Sequence, residues 1–594
     1  MAPRDRLTRS DLVLAAVAGA AGVLFFVSLG RLWPLAEMDL HVSDEALEAK
    51  ARELLLESGF EVELHDAESA LRVDPLVLDY LQRSFGEADT QRLIAAGHPV
   101  FWYEALLKRR GDPDRYWVQL HPGARLSGGI LGWGRTVQED APASAVSEEA
   151  ARELARATLE SRLGVRPEGG SGGPSAGGAV RPGAAWREQG FYDQVRPARR
   201  DRFFVYERHL SLAPELRERL VVTVAGDRVT AVERSLVPPE AARRAARQRE
   251  APVVALQMAG FVVAALAVVG AFAVFLSRLR AGAARLGPAA RWVAVIGLCF
   301  VATQALQSHR LLALWDPLWP RWVAAFESLG TAAAGGAWIL LVLFVVIAAG
   351  DALDREQTRD RVREENRLGT PEASREPAPE AEEGARGASL WAAGRGRLAA
   401  PAVGLASLRG FLVGLLCGGV LAAAVLALER LAGAWSPIQP QGFFFYPLNS
   451  EAPALATLLY FLMVALVEEL AYRFFGAGYL LATTGRRWLA VLAPAVLYGL
   501  THTGLPFLPP AEPFWGRAVV FTLVGCVWGW AFLRYDALTV VLSHYTADLF
   551  IFSWPGLRSG DPALVAQAAA TIAVPLLPAA IWLAWGRLRQ PRTA

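Results

Sequence analysis

Charge is scarce in this 594-residue sequence: Asp, Glu, Lys and Arg make up 20 % of it, against the roughly 25 % usual for soluble proteins. The two signs nearly cancel, to a formal net charge of +2, so there is no basic field to hold nucleic acid and no charge excess of the kind that keeps a chain disordered. Cysteine is scarce too. Cys299, Cys417 and Cys526 are the only three, and all lie in apolar runs. This excludes a disulfide framework. None of the three falls in a motif described below, so nothing points to a thiol nucleophile. Lysine occurs only as Lys50 and Lys108, and the remaining basic charge is arginine.

What the sequence has in excess is apolar residues, 53 % of the total. They are gathered in runs of about 20 residues, the length of a membrane span. The first, Leu12–Gly30, follows Arg4, Arg6 and Arg9. It is long for a signal peptide and lacks a small-x-small cleavage site, so residues 1–39 read as a signal anchor with a cytoplasmic N-terminus. Further runs fall at 252–276, 291–307, 329–349, 410–429, 453–480, 488–508, 517–533, 537–555 and 564–585. The spacing predicts about ten transmembrane helices. Arg278, Arg280 and Arg285, then Arg486 and Arg487, then Arg587, Arg589 and Arg592 fall on predicted inner loops or the inner C-terminus. The expected fold is an all-α polytopic membrane protein with an inserted α+β extracytoplasmic domain. The expected setting is a plasma membrane, bacterial inner, with both termini cytoplasmic. The expected divisions are 1–39, 40–247 (soluble), 248–350 (three spans), 351–399 (a charged, Pro-containing, disordered cytoplasmic linker with Pro371, Pro377 and Pro379) and 400–590 (a separate membrane module).

Residues 40–247 carry a weak internal repeat. Ser43-Asp44-Glu45-Ala46 opens one amphipathic helix, with Ala51, Arg52 and Leu55 farther along. Ser147-Glu148-Glu149-Ala150 opens another, with Ala155, Arg156 and Leu159 at the same offsets. Serine at the cap and acids in the first turn suit a helix N-terminus. A strand–turn–strand signal follows each: Tyr116–Leu120 then Pro122-Gly123, and Val221–Val224, Gly226-Asp227, then Val229. The Gly/Ser-rich stretch Gly169–Gly178 reads as a loop. Two helix-plus-hairpin units predict an α+β domain of two modules. The layout resembles tandem PepSY-like modules, which implies a modulating role beside a peptidase.

Ionisable residues inside apolar helices are costly, and each is a functional candidate. The last module has three such places: Val467-Glu468-Glu469-Leu470-Ala471-Tyr472-Arg473, Tyr498-Gly499-Leu500-Thr501-His502, and His544-Tyr545-Thr546-Ala547-Asp548. Glu469 and Arg473 are four apart, share a helix face and can pair in low dielectric. Glu468 lies about 100° round the helix, clear of Arg473 and free to face a cavity as a general base. His544 and Asp548 repeat the four-residue spacing, and His502 stands one turn after Tyr498. The module's only two histidines fall in these motifs. His41, His65, His98, His121, His209 and His309 lie elsewhere and read as solvated or packing residues. Taken singly, any of these groups could be an interhelical packing contact.

EExxxR, [FY]xxxH and HxxxD, in that order on three helices, resemble the CPBP family of intramembrane peptidases, which includes type II CAAX prenyl proteases, abortive-infection proteins and bacteriocin-processing proteins. The resemblance covers roughly residues 400–590. Tyr498 stands where the family more often has Phe, and Asp548 where the prenyl proteases have Asn. The resemblance implies that Glu468, helped by His502, activates water. It also implies that His544 with Asp548 stabilises the oxyanion, and that Glu469 and Arg473 hold the helix. Its substrate would be a membrane protein or lipidated peptide in the lipid bilayer, with no nucleic acid. Glu468, His502 and His544 are also of the right types to ligate Zn2+, although the ligands come from three helices rather than one paired motif, so no cofactor is required. The arginine pattern turns the opening of the site toward the cytoplasm. Two other classes stay open at this point. One is a non-catalytic scaffold or immunity factor. The other is a proton-coupled transporter, although that class favours inverted repeats, and none is seen.

Overall fold

The computed structural model describes residues 7–38, 44–122, 129–168, 185–306 except 212 and 214, 315–367, 384–438, and 452–588 except 506. Several expectations lie outside those residues: the caps and loops at Arg4, Arg6, His41, Ser43 and Gly123, the 169–178 loop, His309, the three linker prolines, and Arg589 and Arg592.

Helix α1 (Arg9–Leu32) leads into the sheet domain, built from α2 (Asp44–Glu57), β1 (Asp66–Val73), α3 (Pro75–Ala95), β2 (Phe101–Lys108), β3 (Arg115–Leu120), β4 (Ile130–Thr136), α4 (Glu148–Leu163), β5 (Arg187–Val195), β6 (Arg200–His209), β7 (Arg217–Ala225) and β8 (Arg228–Val237). One antiparallel sheet runs β1-β2-β3-β4-β8-β7-β6-β5. Its two four-stranded halves join where Trp133 and Gly134 face Val232 and Ala231. A side chain at Gly134 would strike the Trp117 ring and Ala231, so only glycine lets the halves close. The repeat is visible in space. Ala51 and Leu55 of α2, and Ala155 and Leu159 of α4, are fully buried at matching positions, where α2 packs on β1–β3 and α4 on β6–β8. Ser147 caps α4 through the Ala150 N–H at 3.2 Å. Each half holds four strands rather than the expected hairpin. β2, with its apolar Phe101-Trp102-Tyr103, and β5, an exposed edge, lack clean alternation.

The membrane part follows as α5 (Glu240–Arg280), α6 (Leu286–Leu306), α7 (Arg321–Arg367), α8 (Ala388–Gly394), α9 (Pro401–Ala432), α10 (Pro453–Glu469), a π-helical stretch (Leu470–Ala477), α11 (Gly478–Thr484), α12 (Arg487–Thr501), α13 (Gly516–Arg534), α14 (Ala537–Arg558), α15 (Pro562–Ala573) and α16 (Leu577–Leu588). Among the described residues nine helices are long and apolar enough to cross a membrane. The chain is thus mostly helical and of polytopic membrane type, with an antiparallel sheet region. The span expected at 488–508 is instead the 15-residue α12, which ends at Thr501. At 1.5 Å per residue it covers about 22 Å, short of the roughly 30 Å hydrocarbon core.

α1 is built into this bundle. Gly418 and Gly419 of α9 lie against Phe25 and the backbone of Ala21, the close approach that small residues permit between membrane helices. Asp11 and Arg409 form a buried two-pronged pair at 2.9 Å. The expected linker also departs from expectation at both ends. Residues 351–367 continue α7, where Asp351 binds Arg285 at 2.8 Å and Arg355 at 3.1 Å. Asp354 accepts the backbone N–H of Arg386 and Gly387, and Trp391 of α8 is buried edge-on against Phe474. Charge at Asp351, Asp354 and Arg355 is matched by partners, which composition alone does not reveal, while Asp360, Arg363 and Arg367 are exposed.

Within the sheet, Glu218 is buried between Arg208 at 2.7 Å, Arg234 at 2.6 Å and His98 at 3.4 Å. Burial alone would push its pKa up, but the His98 hydrogen bond and the Arg234, His98 and Arg208 charges override this and hold it at about 2. Because the folded pKa is depressed, the contribution, on the order of 3 kcal/mol, is present above pH 4.5 and is lost as pH falls toward 2. The unfolding temperature of the sheet transition in full-length protein should therefore exceed that of Glu218→Gln clearly at pH 7 and hardly at pH 2.5. An advantage independent of pH would contradict this.

Candidate active site

The three motifs meet inside the bundle. Glu468 and Glu469 end α10, and the chain then widens into the π-helical stretch that carries Tyr472 and Arg473. Such wide turns are rare and cluster at functional sites. The expected pairing of Glu469 with Arg473 holds despite the wider turn, at 2.9 Å, with both side chains about 1 % exposed. Arg473 also lies 4.7 Å over the Tyr498 ring and 5.1 Å over that of Trp528, so its charge rests on aromatic faces.

Glu469 holds a second partner, His544 Nδ1, at 2.8 Å. This turns the Nε2 edge of His544 toward Asp548 Oδ2 at 3.4 Å and Glu468 Oε2 at 3.8 Å. From the other side, His502 caps α12 and its Nδ1 donates to the Tyr498 carbonyl at 2.8 Å. Its Nε2 then faces Glu468 Oε1 at 3.7 Å. Glu468 thus sits between two imidazoles from two other helices without a direct hydrogen bond to either. Its Oε2 is buried and has no hydrogen-bond partner among the described residues. A buried polar atom left open in this way calls for an explanation such as a reactant or a water.

Sequence reasoning therefore named residues that do converge: Glu468, Glu469, Arg473, Tyr498, His502, His544 and Asp548. It missed the aromatic walls. Trp528 stacks on His544 at 4.3 Å and donates Nε1–H to Ser543 at 2.8 Å, and Phe521 stacks on His502 at 5.3 Å. Phe521 and Trp528 stand seven apart on α13, one face of the helix between the second and third motifs, and that spacing was the available signal. Also missed was the bond of Tyr472 Oη with Thr501 Oγ1 at 2.9 Å, which ties the π-helical stretch to α12.

The non-helical stretch after His502 leads toward the sheet domain. Arg517 holds it by donating to the carbonyls of Leu508 at 2.7 Å and Thr503 at 3.1 Å, and Glu512 pairs with Arg83 of α3 at 2.7 Å. As for zinc, no group of three or more His, Cys, Asp or Glu among the described residues is arranged to hold a metal ion.

Residues 450–550 match the family model described as type II CAAX prenyl endopeptidase Rce1-like. This segment is similar to CAAX-type intramembrane proteases. It contains all three motifs and both aromatic walls. No curated protein and no solved structure matches the chain. The match does not extend to the sheet domain, and the PepSY-like resemblance of residues 40–247 is not supported.

If Arg473 compensates Glu469, removing one partner strands a buried charge, at a cost of about 3–5 kcal/mol. Arg473→Met should lower the unfolding temperature in detergent by several degrees, and adding Glu469→Gln should restore part of it. An Arg473→Met variant as stable as wild type would contradict the pairing.

Proposed function

We propose that the chain is an intramembrane endopeptidase that cuts a membrane protein or lipidated peptide, with Glu468 as its general base. The observation that carries this is the Glu468 carboxylate, held open between two histidines in a family-matched membrane module. The 3.7 Å separation of Glu468 Oε1 from His502 Nε2 is too long for a hydrogen bond, yet one water can sit beside both atoms and donate to each. His502 Nδ1–H is already given to the Tyr498 carbonyl, so in the neutral ring Nε2 is the acceptor.

In this reading Glu468 takes a proton from the water, and the resulting hydroxide adds to the scissile carbonyl. His544, as the imidazolium with Nδ1–H on Glu469, donates its Nε2–H as a hydrogen bond to the oxyanion. Glu469 anchors Nδ1, and Asp548 sets the ring along the helix. Glu468 then returns its proton to the departing amine, and the C–N bond breaks. Trp528 and Phe521 keep the imidazoles from turning and exclude water. The orientation that goes with this reading has both termini cytoplasmic and the sheet domain extracytoplasmic, in a bacterial inner membrane.

Glu468→Gln removes the base with little change of shape. Turnover of a membrane-anchored reporter should fall by at least about 10³-fold while the unfolding temperature stays within about a degree. Normal turnover by this variant would refute the mechanism. Wild-type turnover should also survive exhaustive treatment with a strong chelator, because no step uses a metal. Loss of turnover that added zinc restores would overturn that part.

A further inference from the structure

Between α2 and α4 the sheet domain holds a cavity of about 820 Å3, within the range of ligand pockets. Both halves of the domain line it. Among the described residues every ionisable side chain in its wall is basic: Lys50, His121, Arg162, Arg166, Arg208 and Arg234. The carboxylates that pair with them are not part of the wall. Glu53 takes Lys50 at 2.9 Å, Glu57 takes Arg162 at 3.4 Å and Glu160 takes Arg166 at 2.6 Å. Glu218 takes both Arg208 and Arg234 at 2.6 Å and is fully buried. Five Lys and Arg cations against four carboxylates leave positive charge over. Arg234 gives only its Nε to Glu218, and its two Nη groups have no hydrogen-bond partner among the described residues. The remaining surface includes buried apolar side chains, Leu54, Leu220 and Trp186, with the Arg208 guanidinium 4.7 Å over the Trp186 ring.

We propose that this cavity binds an organic phosphate, its phosphate on the lysine and arginine side chains and its body on the apolar surface. Three features select that occupant. A wall whose charges are all basic attracts an anion and repels a cation. Guanidinium ends without a protein partner offer paired N–H donors in the spacing of phosphate oxygens, and several cations around one cavity suit a group with three acceptor oxygens. The buried apolar surface gives an organic body something to cover, which a bare ion does not need. Glu218 holds Arg208 and Arg234 in place before the ligand arrives, which lowers the cost of ordering them on binding. The site lies outside the family-matched residues 450–550 and does not depend on the endopeptidase reading.

The test is calorimetric titration of the full chain, in phosphatidylcholine nanodiscs, with phenyl phosphate as the probe and benzyl alcohol as its uncharged counterpart. Phenyl phosphate should bind saturably and more weakly as salt is raised, and benzyl alcohol should not bind. Arg234→Gln should weaken binding by about tenfold or more. The double variant Lys50→Gln, Arg166→Gln changes side chains that are 31 % and 82 % exposed and leaves Glu218 fully paired, so it keeps the fold and should weaken binding several-fold. Arg228→Gln, exposed and outside this cavity, should bind as wild type does. Repeating the titration in discs with phosphatidylglycerol, and in discs made equally anionic with oleate, separates two sources of the phosphate. Weaker binding in the phosphatidylglycerol discs alone identifies a lipid headgroup as the occupant, and equal binding in the two identifies a free phosphate ester. No saturable binding in phosphatidylcholine discs overturns the proposal. So does binding by the Lys50→Gln, Arg166→Gln variant as tight as that of wild type, whatever Arg234→Gln does.

Discussion

The site depends on one buried carboxylate. Glu469 accepts from Arg473 at 2.9 Å and from His544 at 2.8 Å, where almost no water reaches. In low dielectric neither the guanidinium nor the carboxylate can be left alone, so the pair locks the π-helical stretch to the end of α10. Glu469 also fixes the Nδ1 side of His544, which commits the Nε2 side to Glu468 and Asp548. Glu468 itself is left without a fixed partner. One glutamate is spent on architecture so that its neighbour stays open for chemistry, and the change of direction between them follows from helix geometry.

The rest of the bundle serves that arrangement. α12 is too short to cross, and its early end puts His502 deep in the module with irregular backbone above it. Such backbone is tolerated at membrane depth only where protein or a cavity covers it. Arg517 satisfies two of its carbonyls, Arg83 of the sheet domain pairs with its Glu512, and Gln82 bonds Ile438 and Ser436 in the stretch after α9. The sheet domain is held at a second point, where Lys108 donates to the Trp315 carbonyl at 2.7 Å and the Gly111 N–H to Pro317 at 3.0 Å. The sheet domain is thus bonded to the membrane helices and their loops at both places.

Much of this was legible in the sequence because few side chains in apolar helices are ionisable, and spacing says which ones share a face. Glu469–Arg473 and His544–Asp548 are of that kind. The repeat of α2 and α4 was legible through Ala51 and Ala155, whose small size marks a helix pressed on a sheet. The π-helical stretch left no signature, because an apolar sequence such as Leu470–Ala477 fits three kinds of helix and its tertiary partners choose. Trp528 and Phe521 looked like ordinary apolar residues. The ends of the 351–399 segment looked solvated because pairings such as Asp354 with the Arg386 and Gly387 backbone are not written in composition.

The claim that matters most is that Glu468 acts on a water and does not itself attack the peptide. A single turnover in H2(18)O, with enzyme in excess over the reporter peptide and both species read by mass spectrometry, tests it directly. The account predicts one 18O atom in the new C-terminal carboxylate of the product and none in the Glu468 peptide of the enzyme. Label in the Glu468 side chain, with product carrying the enzyme's oxygen, would contradict it.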